Sequence, residues 1–435
     1  MLKNFSGGIW LDLNKAPAID RPIDTIAAPQ RAIFPLLQHK GEPAVLCVKK
    51  GNKVQAGQPL GNAGAGISCA VHSSVSGKVI DIIEYKHPLI GNCTAVVVEN
   101  DGNDTPYEYT SQNREIKTLS ATEIMAHVRK SAIASNNGLN IPLWARLILM
   151  AEKEVDTLVI NAVETEPYIC SSQKLLDENP EEIAYGIKCL VKALGCHNVI
   201  LAVSDDFKNE TDDVIKSAHL MGVEIRIARV FQKYPSGNEK YLLKILSGIL
   251  LKNNETAEDM QYGFVFTEDC FNVFNAVKHG MAKTTKIITV AGGAIGNPQN
   301  LEVKLGTTIH DILEHCGLIL EPERIVLGSA MRGIAINDLD LPIVKPVTAV
   351  LALTGKELRA VSPKCINCGK CVKVCPERLL PNYIAQSAVN ADIDSCKNLN
   401  IMNCVECGSC SYICPGRMPI VELIKNIKKT GIISR

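Results

Sequence analysis

The chain has 435 residues, which is long enough for three or four domains. Its 46 basic and 46 acidic residues cancel, so no overall field attracts nucleic acid or an anionic membrane surface. No apolar run approaches the ~20 residues that a membrane-spanning helix needs, and the chain opens without a signal-peptide pattern. We therefore expect a cytoplasmic protein that reaches the cytoplasmic face of a membrane only through partner proteins.

Residues 1–112 predict a β domain, because short apolar runs alternate there with turns rich in glycine, asparagine and proline. Segments 49–61 and 71–79 resemble the two halves of a biotinyl/lipoyl-type barrel sandwich. Carrier domains of that type present a modifiable lysine at a hairpin tip, whereas the matching tip here, residues 74–77, has none. We expect a structural domain and not a swinging arm.

Residues 113–280 change to a pattern of helices and buried strands. The continuous apolar run at 155–162 suits a buried parallel strand, and residues 181–194 place apolar side chains on one helical face. The alternation continues through a strand, a helix and a further strand at 198–204, 210–221 and 223–230. This pattern predicts a doubly wound, Rossmann-like α/β domain, a fold that binds nucleotides at the carboxyl ends of its strands.

Residues 281–350 return to mixed structure. A strand at 287–290, a glycine-rich turn, a strand at 301–306 and a helix at 308–316 predict a small β-grasp (SLBB-like) module.

Residues 351–435 carry eight cysteines in two nearly identical motifs, residues 365–376 and 404–415, each with the spacing C-x2-C-x2-C-x3-C-P. Bacterial ferredoxins with two [4Fe–4S] clusters have this spacing, and the fourth cysteine of each motif ligates the other cluster. We expect a two-cluster, ferredoxin-type helical domain; structural zinc and disulfides are the alternatives, and neither needs this spacing. The ligands expected for cluster one are Cys365, Cys368, Cys371 and Cys414, and those for cluster two are Cys404, Cys407, Cys410 and Cys375.

With these four modules in order, the chain resembles the RnfC family from end to end. Gly7-Gly8-Ile9, the acidic segment 161–168, the segment 233–240 and Gly296-Asn297-Pro298 follow the family's order. The family includes the peripheral subunit of the Rnf ion-translocating ferredoxin:NAD oxidoreductase and stand-alone, PrdC-like members of the proline reductase system. The α/β and β-grasp portions also resemble the NADH-binding flavoprotein subunit of respiratory complex I. The resemblance implies an FMN and NADH site in the α/β domain.

Two elements of the family's flavin site are altered in this sequence. The glycine-rich flavin loop maps onto residues 137–143, where Gly138 is the only glycine that remains, and Arg146 lies near the position of the family's lysine. A second element maps near residues 267–270, where two acids would repel a flavin phosphate if they faced it.

The resemblance assigns cofactor contacts to five residues. Asn161 would touch the flavin, and the glutamates would approach the flavin or the nicotinamide ribose. The alternative is that Glu164 and Glu166 cap the following helix or form surface ion pairs. The five candidates are Gly138, Asn161, Glu164, Glu166 and Glu239.

The expected function is electron transfer through two [4Fe–4S] clusters, from NADH and a flavin or from a docked protein to a partner reductase, as in the PrdC-like members. One alternative is the RnfC subunit of a membrane-bound ion-translocating ferredoxin:NAD oxidoreductase. Another is a non-catalytic iron–sulfur scaffold with a degenerate flavin site. No general acid or base is needed for the cluster steps.

Overall fold

The computed structural model describes residues 4–107, 115–135, 140–207, 211–252, 255–358, 361–362 and 364–429. Its first hundred residues contain mainly short strands. In chain order the elements are β1 Ile9–Trp10, α1 Ala16–Ile19, β2 Asp24–Thr25, β3 Arg31–Pro35, β4 Val45–Leu46, β5 Lys53–Val54, β6 Pro59–Asn62, β7 Val71–His72, β8 Gly77–His87 and β9 Gly91–Asn100.

Two sheets make up the N-terminal sandwich. One has the strand order β3-β9-β8-β5 and the other the order β4-β6-β7. Phe34, Leu60, Val75 and Val96 point inward from these strands and turns and fill the core between the sheets. The turn that matches a carrier hairpin tip is buried, and Ser74 donates its hydroxyl hydrogen to the Leu305 carbonyl at 2.6 Å. This turn therefore packs on the β-grasp module.

The N-terminal leader, residues 7–25, departs from the single β domain predicted for residues 1–112. β1 pairs antiparallel with the strand Lys233–Tyr234, and β2 joins the β-grasp sheet. The Gly8 amide donates to the Val374 carbonyl at 2.8 Å. Gly7, with φ +75°, lies so close to the chain that a Cβ would stand 2.5 Å from the Cys375 carbonyl oxygen. The leader thus links the sandwich to all three later modules.

The second module is the predicted α/β domain. Its elements are α2 Ala121–Ser131, α3 Leu143–Glu152, β10 Thr157–Ala162, α4 Ser171–Glu178, α5 Pro180–Leu194, β11 Asn198–Ser204, α6 Asp212–Leu220, β12 Ile225–Val230, β13 Lys233–Tyr234, α7 Glu239–Ser247, β14 Tyr262–Phe266 and α8 Thr267–Lys278. Its four parallel strands have the order β12-β11-β10-β14, with α5 and α8 over one face and α7 over the other.

The third module is a sheet packed on one helix. Its elements are β15 Thr285–Ala291, β16 Gln299–Lys304, α9 Ile309–Cys316, β17 Arg324–Leu327, β18 Ile334–Ile336 and β19 Ala349–Leu353. The sheet has six strands in the order β18-β17-β19-β15-β16-β2 and packs on α9. Thr308 and Asp311 form a capping box that begins α9, and Gly317 follows its last residue. The last strand extends to Leu353, past the predicted boundary at residue 350.

The last module consists of short helices around the cysteine motifs. Its final helix is amphipathic and buries Ile420, Ile424 and Ile427 against the other helices of the module. Across the described residues, no helix has the length and apolar character that crossing a bilayer requires. The helices are α10 Lys370–Val374, α11 Pro381–Val389, α12 Ile393–Asn398, α13 Ser409–Ile413 and α14 Ile420–Lys429.

Candidate redox site

A cavity of about 810 Å³ opens at the carboxyl end of β10, where the sequence predicts a nucleotide site. Four of the five predicted cofactor residues, Asn161, Glu164, Glu166 and Glu239, line it. The fifth, Gly138, lies outside the described residues. The volume lies in the range of pockets that hold cofactors.

Asn161 shapes the cavity wall through the backbone. Its side-chain amide donates to the Gly237 carbonyl at 2.9 Å, and its oxygen accepts from the Val163 amide at 3.1 Å. Gly237 packs so tightly on this strand end that a Cβ would lie 2.5 Å from the Val163 carbonyl oxygen. Both polar ends of Asn161 are therefore committed to internal hydrogen bonds.

Glu164 caps the next helix, which is the alternative that the sequence leaves open. Its carboxylate accepts from the amides of Ser172 at 2.8 Å and Gln173 at 3.1 Å, in the first turn of α4. A carboxylate at a helix N-terminus is favourable because it satisfies exposed amides and faces the positive end of the helix dipole.

Glu166 has one oxygen committed and one oxygen available. Oε1 accepts from Nε of Arg332 at 3.1 Å, whereas Oε2 is buried with no hydrogen-bond partner among the described residues. A buried carboxylate oxygen without a partner is costly, so a donor group on a bound ligand would stabilise it. Of the four described candidates that line the cavity, Glu166 is the one whose side chain has such an atom.

Glu239 holds a buried arginine. Both of its oxygens accept from the guanidinium of Arg146, at 2.8 and 2.7 Å, and Glu258 approaches the same guanidinium at 3.4 Å. Burial disfavours the charged arginine, but the two carboxylates outweigh burial and raise its pKa above the ordinary value. This arrangement is a bidentate ion pair in the cavity wall.

The two acids near the start of α8 do not present unbalanced negative charge to the cavity. Glu268 accepts from Lys283 at 2.8 Å and from Lys286 at 2.5 Å. Burial would raise the pKa of Glu268, but the two lysines dominate and lower it to about 2. Asp269 accepts from the Ser135 hydroxyl at 2.6 Å and from the Phe266 amide at 3.0 Å. From the sequence, Glu268 would repel a flavin phosphate. In the structure Lys286 lies beside Glu268 on the cavity wall, and its positive charge offsets that repulsion.

The structure groups the cysteines across the two motifs. Cys375 of the first motif lies with Cys404, Cys407 and Cys410 around one small apolar cavity. Backbone amides point at the sulfurs, as from Leu379 to Cys375 and from Glu406 to Cys404, each at 3.4 Å. At the other end of the module, Cys414 lies beside the turn at Gly416, which packs on the Lys364 carbonyl next to Cys365.

This set of thiols fits an iron–sulfur cluster. All 17 cysteines lie within the described residues, and none forms a disulfide. In that same part of the chain, no three His, Cys, Asp or Glu side chains converge closely enough to hold a single metal ion. A [4Fe–4S] cluster needs a wider spacing, because each of its four irons takes one thiolate.

The second cysteine motif borders the large cavity, whereas the first contains the one exposed cysteine of the two motifs. Val405 and Cys407 line the cavity, and the Tyr234 hydroxyl donates to the Cys407 carbonyl at 2.6 Å. In the first motif, Cys368 is exposed. The second motif therefore contributes a cysteine to the cavity wall, and the first contributes a cysteine to the surface.

Three residues that matter for this geometry were not predicted from sequence: Lys286, Arg332 and Tyr234. Tyr234 lies in the 233–240 segment, which indicates the region without giving the residue a role. Lys286 and Arg332 reach the cavity from the β-grasp module, far along the chain from β10, and no local motif signals them.

Family models cover most of the chain. They match the RnfC barrel sandwich hybrid domain at residues 3–103, the Nuo51 FMN-binding domain at 128–278, the SLBB domain at 287–335 and the 4Fe-4S dicluster domain at 357–415. These matches confirm the four predicted modules and the two [4Fe–4S] clusters.

Full-length relatives are also found, and they are RnfC-type subunits of redox complexes. The one from the proton-translocating ferredoxin:NAD(+) oxidoreductase complex of Clostridium ljungdahlii is 32% identical over 387 residues, covering 88% of this chain and 84% of the relative. The one from the Na(+)-translocating complex of Acetobacterium woodii is 31% identical over 435 residues, covering 99% and 98%.

Among solved structures, the chain is similar to an NAD+-reducing [NiFe]-hydrogenase in the air-oxidized state, with a TM-score of 0.51 and 15% identity. The similarity covers 65% of this chain and 54% of the hydrogenase chain. At this identity, the likeness concerns the fold.

Proposed function

The chain belongs to the RnfC family, and we propose that it relays electrons between a flavin held in the large cavity and a partner redox protein that docks near cluster one. In this proposal Cys404, Cys407, Cys410 and Cys375 hold cluster two, next to the cavity. Cys365, Cys368, Cys371 and Cys414 hold cluster one, next to solvent.

One observation carries the proposal: Cys407 of the second motif is part of the cavity wall, while Cys368 of the first motif is exposed. Electron transfer between redox centres requires short separations. A donor in the cavity is therefore adjacent to cluster two, and a docked protein can approach cluster one. The β-grasp module holds the cavity and the second cysteine motif in place relative to each other. Its Arg332 pairs with Glu166 on the cavity wall, and its Met331 packs against the turn at Gly408 in the second motif.

The cavity residues are compatible with a flavin. Oε2 of Glu166 has no hydrogen-bond partner among the described residues, and Lys286 of β15, which pairs with Glu268 at the start of α8, provides a cation on the cavity wall for a phosphate. The amides at the start of α8 add to the attraction for an anion. A bound flavin exchanges electron pairs with a nicotinamide and single electrons with iron–sulfur clusters.

The partner belongs to the same proposal. The relatives are named as subunits of ferredoxin:NAD(+) oxidoreductase complexes, so we assign NADH or NAD+ to the cavity side and a redox subunit of such a complex to the cluster-one side. The chain then sits at the cytoplasmic face of a membrane through its partners. A soluble reductase is the other partner that the sequence predicts, and co-purification from the native host distinguishes the two.

The order of the clusters can be tested with Cys371→Ser and Cys410→Ser. The wild-type protein should contain about eight irons and each variant about four, because each variant loses one cluster. With FMN and NADH, both clusters of the wild type should become reduced in EPR spectra. In C371S the remaining cluster should still be reduced by NADH. In C410S the remaining cluster should be reduced by dithionite but not by NADH.

The dithionite-reduced signal of each variant is the control for an intact remaining cluster. NADH reduction of C410S at the wild-type rate would mean that electrons enter elsewhere, and the proposed order would be wrong. Clusters that accept electrons from dithionite but exchange none with NADH or any partner would instead identify a scaffold.

A further inference from the structure

The cluster-one side of the last module presents an apolar surface around an exposed cysteine. Cys368 is exposed, and the adjacent Ile366 is 63% exposed. Tyr383, on α11, is 53% exposed. The amide of Gln386, one turn further along α11, donates to the Asn367 side chain at 3.3 Å and so holds this helix beside the cysteine loop. We call the exposed residues Ile366, Cys368, Lys370, Lys373 and Tyr383 the cluster-one face.

The cluster-one face and its border are basic in a protein whose total charge is zero. Between residues 361 and 389 the sequence contains four cations and one acid, and all four cations are exposed: Lys364, Lys370, Lys373 and Arg378. The acid, Glu377, accepts from Lys240 at 2.7 Å and from Tyr241 at 2.6 Å. Glu377 is thus bound to two residues of α7. Between residues 361 and 389 no other acid balances the positive charge around the cluster-one face.

Lys370 and Lys373 lie close to the sulfur ligands. Both are on α10, the helix that contains Cys371, and Lys364 immediately precedes Cys365. An apolar centre with an aromatic residue and a charged rim is the usual composition of a protein–protein interface. A basic rim speeds the approach of a partner with the opposite charge.

We propose that the cluster-one face is the docking surface for an acidic protein that carries its own redox centre near its surface. In the docked complex one electron passes between cluster one and the partner's centre, so one is oxidised as the other is reduced, and no bond forms or breaks. This inference rests on the proposed relay, because it names the partner at the relay's solvent end. An anionic membrane would share the attraction to the lysines but carries no redox centre.

The test uses the full-length protein with its clusters, reduced by dithionite, and an acidic bacterial two-[4Fe–4S] ferredoxin as the probe. Stopped-flow absorbance gives the second-order rate of electron transfer. The double variant K370E/K373E should react at least about tenfold more slowly at low salt, since steering by charge changes association rates by about 10-fold or more. The difference should shrink between about 0.01 and 1 M salt, because the screening length falls from about 30 to 3 Å.

K216E is the matched control. Lys216 is an exposed lysine on α6 of the α/β domain, and its reversal should leave the rate unchanged. Tyr383→Ala tests the apolar centre and should slow transfer at all salt concentrations. If K370E/K373E does not assemble its clusters, as shown by the iron count, K364E takes its place.

Several outcomes would overturn the inference. Equal rates for the wild type and K370E/K373E at low salt would do so, as would a rate difference between them that does not shrink as the salt concentration rises. Phosphatidylserine vesicles that bind the wild type but not K370E/K373E, with ferredoxin transfer unchanged, would assign the face to a membrane. Because the protein is reduced by dithionite, docking is tested even if NADH fails to reduce the clusters, which would count against the proposed function alone.

Discussion

The ion pair between Glu239 and Arg146 gives a sharp prediction, because the family resemblance assigns Glu239 to the ligand whereas the structure places it on Arg146. We consider Glu239→Gln, which keeps the shape and one acceptor but removes the charge. Arg146 is buried and would be left with Glu258 at 3.4 Å as its nearest carboxylate.

The expected loss of stability follows from this geometry. Hydrogen bonds to charged groups contribute about 1.5–3 kcal/mol, and Glu239 is partly exposed, so we expect E239Q to cost about 2 kcal/mol. In a domain of about 150–250 residues, each kcal/mol lowers Tm by about 2–4 °C. The transition of the α/β domain should therefore fall by about 4–8 °C.

Differential scanning calorimetry of the full chain measures this change. Glu255→Gln is the control, because Glu255 lines the same cavity and the Lys252 ammonium is 3.9 Å from its carboxylate. Its carboxylate also accepts from the Lys252 backbone amide at 2.8 Å, and a glutamine oxygen can keep that bond. E255Q should melt within about 1 °C of the wild type, as expected for a weak surface pair. If E239Q also melted like the wild type but lost affinity for FMN or NADH, Glu239 would act on the ligand and the structural role would be refuted.

Three further predictions concern other parts of the chain. Cys375→Ser should remove the EPR signal of cluster two and retain that of cluster one, although Cys375 belongs to the first motif; loss of the cluster-one signal would show that the motifs do not exchange ligands. Burial lowers the pKa of His39 from its ordinary value of 6.5 to about 4, and the ring Nε2 accepts from the Cys69 backbone amide at 2.9 Å. Between pH 6.5 and 4 the unfolded chain therefore binds more protons at this histidine than the folded chain does. Stability should fall as the pH is lowered through this window, by up to about 1.4 kcal/mol per pH unit. In urea unfolding, H39Q should make the free energy of unfolding depend less steeply on pH in this window. H197Q is the control, because the His197 side chain is 84% exposed and its replacement should leave the slope unchanged. Equal slopes for the two variants would contradict the argument. Glu268→Gln leaves two buried lysines without their carboxylate and should cost about 3–5 kcal/mol in urea unfolding, and a cost below about 1 kcal/mol would show that the three charges are more hydrated than the structure indicates.

The sequence predicts elements whose signal is local and strong. β10 lies within a continuous apolar run, and α5 has fifteen residues with one apolar face and Gly195 after its last residue. The cysteine motifs are the extreme case, since their spacing alone predicts two clusters. The segment that forms β14 and α8 carries no such signal, because apolar residues occur there without a clear period of two or 3.6. β1 and β2 have two residues each, which is too short for any periodicity.

The sequence predicts where the cavity lies but not the hydrogen bonds and ion pairs that its side chains make. The end of β10 was the expected position for a ligand, and four of the candidates are found there. Their hydrogen bonds depend on residues distant in sequence: Arg146 and Glu239 are 93 residues apart, and Glu166 and Arg332 are 166 apart. Charge balance at a site is a property of such long-range contacts. For this reason the sequence identifies Glu268 as an acid near the site but does not show that Lys283 and Lys286 lie beside it and neutralise its charge.

The N-terminal leader has a consequence for how the protein is made. β1 pairs with a strand near residue 233, and the amide of Gly8 bonds to the carbonyl of Val374. Residues 8–10 therefore reach their final positions only after residues 233–234 and 374 have been synthesised. Contacts this distant in sequence form slowly, because a long loop must close before they contribute. A substitution at Gly7 would therefore act far along the chain, beside Cys375.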